Sequence, residues 1–203
     1  MKRVLFLVLL TFTVIACEKE TFDIIDNYDN PQKALLVIDM QIDYIDKNGK
    51  FPIEKSQIDN LLKTTNEIIE EYNTKGYYII YLRNLFKKNN AGNPSRNYAA
   101  IEGTAGAEID PRINIVSNYI FDKYSPTAFS SASFENFLIQ NQINELYLCG
   151  VMADGCVYKT AISAFDRGYF VNCFANAIGS VNNRKVENTI KKLRQKGINI
   201  IEF

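Results

Sequence analysis

The chain has 203 residues, contains no histidine and no tryptophan, and carries 23 basic and 23 acidic side chains. That length suits one domain with a full core, and the balanced charge supplies no basic face of the kind that nucleic acid demands. The missing imidazole removes the commonest ligand of a catalytic zinc and the usual proton-accepting partner of a catalytic thiol.

At the start, Lys2 and Arg3 precede an apolar run over residues 4–16, too short for an ordinary membrane-spanning helix. The run closes on Val14-Ile15-Ala16-Cys17. This resembles the lipobox of bacterial lipoproteins, where cleavage before the cysteine is followed by lipidation. The resemblance implies a signal peptide over residues 1–16 and a lipidated Cys17. It implies an exported protein held in the bacterial cell envelope, touching membrane through the lipid alone. Residues 17–32 then read as a polar, acidic tether, with an arm packed through Phe22, Ile24 and Ile25 as the alternative. Residues 33–203 form the domain.

From residue 33 onward, strand-like runs alternate with helical patterns. Residues 33–40, KALLVIDM, are a continuous apolar run ending in an acid, as in a buried parallel strand. Ile58, Leu61, Leu62, Thr65, Ile68, Ile69 and Tyr72 recur at helical spacing over residues 56–75, and Gly76 follows as a C-terminal cap. Strands are expected at 77–83 and 119–123. Between them, residues 84–118 form a long connection containing Gly92, Pro94, Gly103, Gly106 and Pro111, of the size often used as a lid or binding loop. A helix over 131–142 and a strand over 145–150 come next. Val157, Thr160, Ala161, Ala164 and Phe165 then mark a helical face that Gly168 closes. A strand over 169–175, a charged helix over 182–196 and a strand over 198–203 complete the chain. The alternation indicates an α/β domain with a mainly parallel sheet, and ligands of such folds bind beyond the carboxyl ends of the strands. Asp39, Lys123 and Gly150 all fall at those ends.

Cys149 and Cys173 sit within strand-like runs, where buried thiols are common. Cys156 differs, because it follows the turn at Gly150 and opens a helix. A thiol becomes nucleophilic when a base takes its proton or when a cation or helix N-terminus stabilises the thiolate. With no histidine in the chain, Asp39 is the candidate base and Lys123 the candidate cation.

Four blocks in order resemble the isochorismatase-like cysteine hydrolases, a group that includes nicotinamidases, N-carbamoylsarcosine amidases, ureide hydrolases and isochorismatases. They are Asp39-Met40-Gln41-Ile42-Asp43-Tyr44, GTAGAEIDP at 103–111, FDKYSPTAFSSASFENFL at 121–138, and GVMADGCVYKTAISAFDRGY at 150–169. The resemblance covers residues 33–203 and implies a three-layer, Rossmann-like fold. It makes Cys156 the nucleophile, Asp39 the general base and acid, and Lys123 the third member of a triad. It also implies a cis peptide between Val151 and Met152, and an oxyanion hole built from the backbone N–H groups of Met152 and Cys156.

The reaction so implied is hydrolysis of a small-molecule amide, ureide or related C–N bond through a thioester. It needs no cofactor. The metal site of nicotinamidases is histidine-based and has no counterpart in this composition. Three alternatives stand beside that reading: a vinyl-ether hydrolase of isochorismatase type, a non-catalytic binding module on a surface lipoprotein, and a redox-sensing thiol. Tyr44, Phe86 and Phe129 are candidates to line the substrate pocket, each equally readable as core. Arg83 and Arg96 are candidates to meet a substrate carboxylate. A homo-oligomer fits the family, with no number set by the sequence.

Overall fold

A computed structural model describes residues 28–203. The expected signal peptide, Cys17 and most of the tether lie outside the described residues. Six strands are formed: β1 (Gln32–Ile38), β2 (Tyr78–Asn84), β3 (Ile120–Lys123), β4 (Ile143–Val151), β5 (Phe170–Gly179) and β6 (Asn199–Ile201). The helices are α1 (Ile42–Ile45), α2 (Lys55–Thr74), α3 (Ala132–Gln140), α4 (Tyr158–Phe165) and α5 (Asn183–Gln195). The strands make one sheet in the order β3-β2-β1-β4-β5-β6. Every neighbouring pair is parallel, so the sheet is wholly rather than mainly parallel.

Parallel strands covered on both faces must be apolar on both faces, and β1 is the clearest case. Ala34, Leu36 and Ile38 join one core layer, with Phe134 and Leu138 of α3, Ala161 and Ala164 of α4, and Leu193 of α5. Leu35 and Val37 join the other, with Ile58, Leu61, Ile68 and Ile69 of α2. The result is three layers, with helices on both faces of the sheet.

The strand order carries the functional geography. The chain builds outward from β1 to β2 and β3, then returns to place β4 on the other side of β1. The carboxyl end of the β1–β4 pair is the point where the order reverses, the usual ligand crevice of open α/β sheets. Gly150 lies there with φ of +117°, and a Cβ at this position would stand 2.0 Å from the Ile38 carbonyl oxygen. Only glycine lets β4 pass so close to β1 before turning. Across β4 and β5 the register jumps from Leu148–Cys173 to Gly150–Ile178, and the irregularity carries β5 four residues beyond its expected end at 175.

The long connection between β2 and β3 is tied down along its length. Its Phe86 N–H donates to the Ala100 carbonyl, and the Phe86 carbonyl accepts in return from the Glu102 N–H, both at 2.9 Å. The buried side chain of Asp43 accepts from the Ala100 N–H at 2.9 Å, and the Ala107 carbonyl accepts from Gln41 Nε2 at 2.7 Å. The segment is thereby laid against the residues that follow β1.

Candidate active site

Three strand ends and one helix start converge at the crevice. Asp39 follows β1 with φ of +52°, in the left-handed region that aspartate tolerates better than most residues. Its backbone N–H donates to the Leu82 carbonyl at 2.9 Å, which turns its side chain out of the sheet order. Lys123 ends β3. The two form an ion pair, Nζ to Oδ2 at 2.9 Å, with both side chains sealed from solvent. Lys123 Nζ also donates to Asn84 Oδ1 at 3.2 Å and to the Ser125 carbonyl at 3.3 Å. Its three ammonium protons therefore have three acceptors.

Cys156 comes from the other half of the fold. After β4 the Val151–Met152 peptide is cis, and residues Ala153–Val157 form a single π-helical turn that runs into α4. The sequence pattern suggested a plain helix starting near Asp154; the wider turn holds the thiol instead. The Met152 carbonyl accepts from the Gly155 and Val157 N–H groups, at 2.9 and 3.2 Å, and passes over Cys156. The turn is braced by Asp154, whose carboxylate accepts from the Ser180 hydroxyl and pairs with Lys185 Nζ at 2.9 Å.

The thiol stands close enough to Asp39 and Lys123 for each group to shift the others' proton affinity. Asp39 Oδ1, the oxygen not used by Lys123, is buried and makes no hydrogen bond among the described residues. Burial pushes the Cys156 thiol up to about 12; the Asp39 carboxylate adds to the rise and the Lys123 ammonium opposes it. Burial likewise raises Asp39 above the ordinary carboxylate range, against the pull of Lys123. Burial disfavours the Lys123 charge, but Asp39 and Cys156 outweigh it and hold the ammonium above the ordinary lysine value. At neutral pH the thiol therefore rests protonated, near the Asp39 oxygen that Lys123 leaves unused.

The other sequence candidates separate. Tyr44 is buried, with its hydroxyl within the electrostatic reach of Asp39 and Cys156 and turned to the Asn84 side chain; burial first, then those two charges, keep its proton on. Phe86 is half-buried, with the Arg96 guanidinium 3.4 Å above its ring. Phe129 faces Phe134, Tyr169 and the Arg167 guanidinium, within the core layer against which Cys156 also packs. Arg83 is held by Asp122 through both Nε and Nη2, at 2.7 and 3.0 Å, and by Glu108. Arg96 pairs with no acid among the described residues. Sequence reasoning missed Asn84, which accepts from Lys123 and faces Tyr44. Its place at the end of β2, in line with Asp39 and Lys123 on the neighbouring strands, was the available signal.

Among the described residues no three side chains of the metal-binding types converge, and the chain has no histidine. This donor set does not fit a catalytic zinc or manganese.

Comparison with known proteins places the geometry in context. Residues 33–202 match the isochorismatase domain. The isochorismatase family protein PncA of Bacillus subtilis is 27% identical over 163 residues, covering 74% of this chain and 88% of its own. The N-carbamoylsarcosine amidase of Arthrobacter is 25% identical over 129 residues, 58% of this chain and 49% of that one. Among solved structures, the pyrazinamidase of Pyrococcus horikoshii in complex with zinc superposes with a TM-score of 0.72 at 26% identity, covering 85% of this chain and all of its own.

Proposed function

Since the isochorismatase domain spans residues 33–202, the chain belongs to the isochorismatase family of hydrolases, and we propose that it hydrolyses a small-molecule amide, ureide or related C–N bond with Cys156 as nucleophile. The observation that carries this reading is the sealed Asp39–Lys123 pair, with one carboxylate oxygen left unpartnered beside the Cys156 thiol. Two of the similar proteins are named as amidases.

A thiol held near 12 supplies almost no free thiolate at neutral pH, so its proton must leave as sulfur attacks. Asp39 takes that proton while the Cys156 sulfur bonds to the carbonyl carbon. The carbonyl electron pair moves onto oxygen, which lies against the N–H groups of Met152 and Cys156. Donors of this kind are typically worth about 3–4 kcal/mol each in the transition state. Collapse expels the amine, which takes the proton back from Asp39, and leaves a thioester. Water then attacks the thioester with Asp39 again as base; the acid is released and the thiol reforms. Lys123 stays charged throughout and offsets the negative charge that passes between sulfur and carboxylate.

The test is ammonia release by the purified protein from a panel of primary amides and ureides, with Cys156→Ala in parallel. Turnover by the wild type and none by the variant is expected. Equal rates for the two proteins, or no turnover of any amide or ureide, would remove the proposal.

A further inference from the structure

We propose that Arg96, stacked on Phe86, is the anchor for a carboxylate carried by the substrate, so that the C–N bond cleaved at Cys156 belongs to an anionic amide or ureide. This rests on the hydrolase reading and adds the substrate class to it. The argument starts from the contrast between two arginines. Arg83 already holds two carboxylates, those of Asp122 and Glu108, so its charge is balanced. Arg96 is half-buried and pairs with no acid among the described residues. Its Nη2 donates to Asn90 Oδ1 at 2.7 Å and to Asn93 Oδ1 at 2.9 Å, both neutral acceptors. Its Nε is shut off from water with no acceptor among the described residues, and burial lowers its hold on its proton. A partly desolvated cation without a counter-charge is an unfavourable arrangement unless a ligand completes it.

The surroundings are built to keep the guanidinium in place. Its carbon lies 3.4 Å from the Phe86 ring centroid, the flat stacking that arginine makes and lysine does not. Asn93 is buried, and its amide donates to the carbonyls of Lys87 and Lys88, each at 3.0 Å. The loop that offers Asn93 Oδ1 to Arg96 is thus locked by the same side chain. On the far side, a Cβ at Gly92 would come within 2.8 Å of Arg96 Nη1, so glycine there leaves the room the group occupies. The position is also the right one. Arg96 stacks on Phe86, just beyond the Asn84 that holds Lys123, and the Tyr44 hydroxyl lies within the electrostatic reach of Arg96, Asp39 and Cys156 alike. A ligand attacked by Cys156 and extending past Tyr44 arrives at Arg96.

Aldehydes test this without any turnover. The Cys156 sulfur adds to an aldehyde carbon, the thiol proton ends on the former carbonyl oxygen, and the resulting thiohemiacetal blocks alkylation. Succinic semialdehyde and butanal share a four-carbon chain and differ in the terminal carboxylate. Protection of Cys156 from iodoacetamide is read by mass spectrometry over a concentration series of each. Wild type is expected to be protected by succinic semialdehyde at a concentration at least about 10-fold lower than by butanal, the scale of one charge-assisted contact. Arg96→Met should erase the difference and leave the butanal curve in place; Arg96→Lys should restore part of it. No preference in wild type, including no protection by either aldehyde, or a preference that survives Arg96→Met, would overturn the anchor. The two readings fail separately. Cys156-dependent turnover of uncharged amides, with succinic semialdehyde given no preference, keeps the hydrolase and rejects the anchor. Arg96-dependent protection with no amide or ureide turned over keeps the anchor and rejects the hydrolysis.

Discussion

Replacing Asp39 with asparagine separates two properties that usually move together, thiol reactivity and catalysis. The substitution keeps the shape of the side chain and an oxygen for Lys123, but removes the carboxylate charge that pairs with a fully buried ammonium 2.9 Å away. Leaving a buried charge uncompensated costs about 3–5 kcal/mol; the retained amide oxygen, Asn84 and Ser125 place this case at about 3 kcal/mol, or roughly 6–12 °C in Tm for a domain of this size. The thiol responds in the opposite sense. Asp39 is the second cause, after burial, of its raised value, and Lys123 opposes both. With the carboxylate gone, burial and Lys123 remain, and the thiol ionises at lower pH than in wild type. Alkylation of Cys156 by iodoacetamide should therefore reach half its plateau rate at lower pH in Asp39→Asn. Hydrolysis should fall by about 10²–10⁴, the usual contribution of a positioned base. The assay pairs a pH series of alkylation, followed by mass spectrometry, with ammonia release on the same samples. An alkylation profile that stays put or moves upward would refute the electrostatic argument. Undiminished turnover would refute the role of Asp39 as base.

Gly150→Ala should destabilise the fold by more than about 4 kcal/mol, because the new methyl meets the backbone of Ile38 on the adjacent strand; a melting temperature within a few degrees of wild type would contradict the close approach described above. Stability should fall as pH rises above 9. Burial holds the Cys149 thiol far above, and Cys173 at about 12, against an ordinary value of 9.0, so the unfolded chain loses these protons first and the folded chain loses ground between pH 9 and 12. A Cys149→Ala, Cys173→Ala variant should show a shallower fall in its urea midpoint between pH 9 and 10, and an unchanged slope would rule the thiols out as the cause. EDTA should leave turnover intact, given a donor set without histidine; loss on chelation with recovery in zinc or manganese would show the opposite. Detergent partitioning of the full chain should depend on Cys17, and Cys17→Ala partitioning like wild type would argue against lipidation there.

Most of the sheet was legible because its strands are buried on both faces and therefore read as unbroken apolar runs, as in residues 33–40. The ends were not. β5 runs on to Gly179 because Ala177 and Ile178 are buried past a register shift, and Asn176, which looks like a strand terminator, satisfies itself against the Phe203 backbone. Four-residue α1 is shorter than any helical period can reveal. At the site, Asp39, Lys123 and Cys156 were marked by strand ends and motif. The π-helical turn is a backbone event without a side-chain signature. Asn84 went unnamed, and Arg96 was not set apart from Arg83, because their meaning lies in partners that no local pattern discloses: an amide held by a lysine on the next strand, and a guanidinium without an acid among the described residues.

On the proposed mechanism, the pairing of β1 with β4 also governs when the protein becomes reactive. Asp39, Asn84 and Lys123 belong to the strands built before the reversal, and Cys156 to those built after it. Where the two halves meet, the Cys149 thiol of β4 donates to the Leu36 carbonyl of β1, 113 positions away. Contacts of that span form late, because closing so long a loop must be offset by packing on both sides. Until they form, the nascent chain carries an ordinary cysteine and an ordinary aspartate, neither able to act on a carbonyl. Reactivity is thus a property of the assembled sheet. Two fragments divided in the connection between β3 and α3 would each be inert, and hydrolysis on mixing them would report the closing of that one seam.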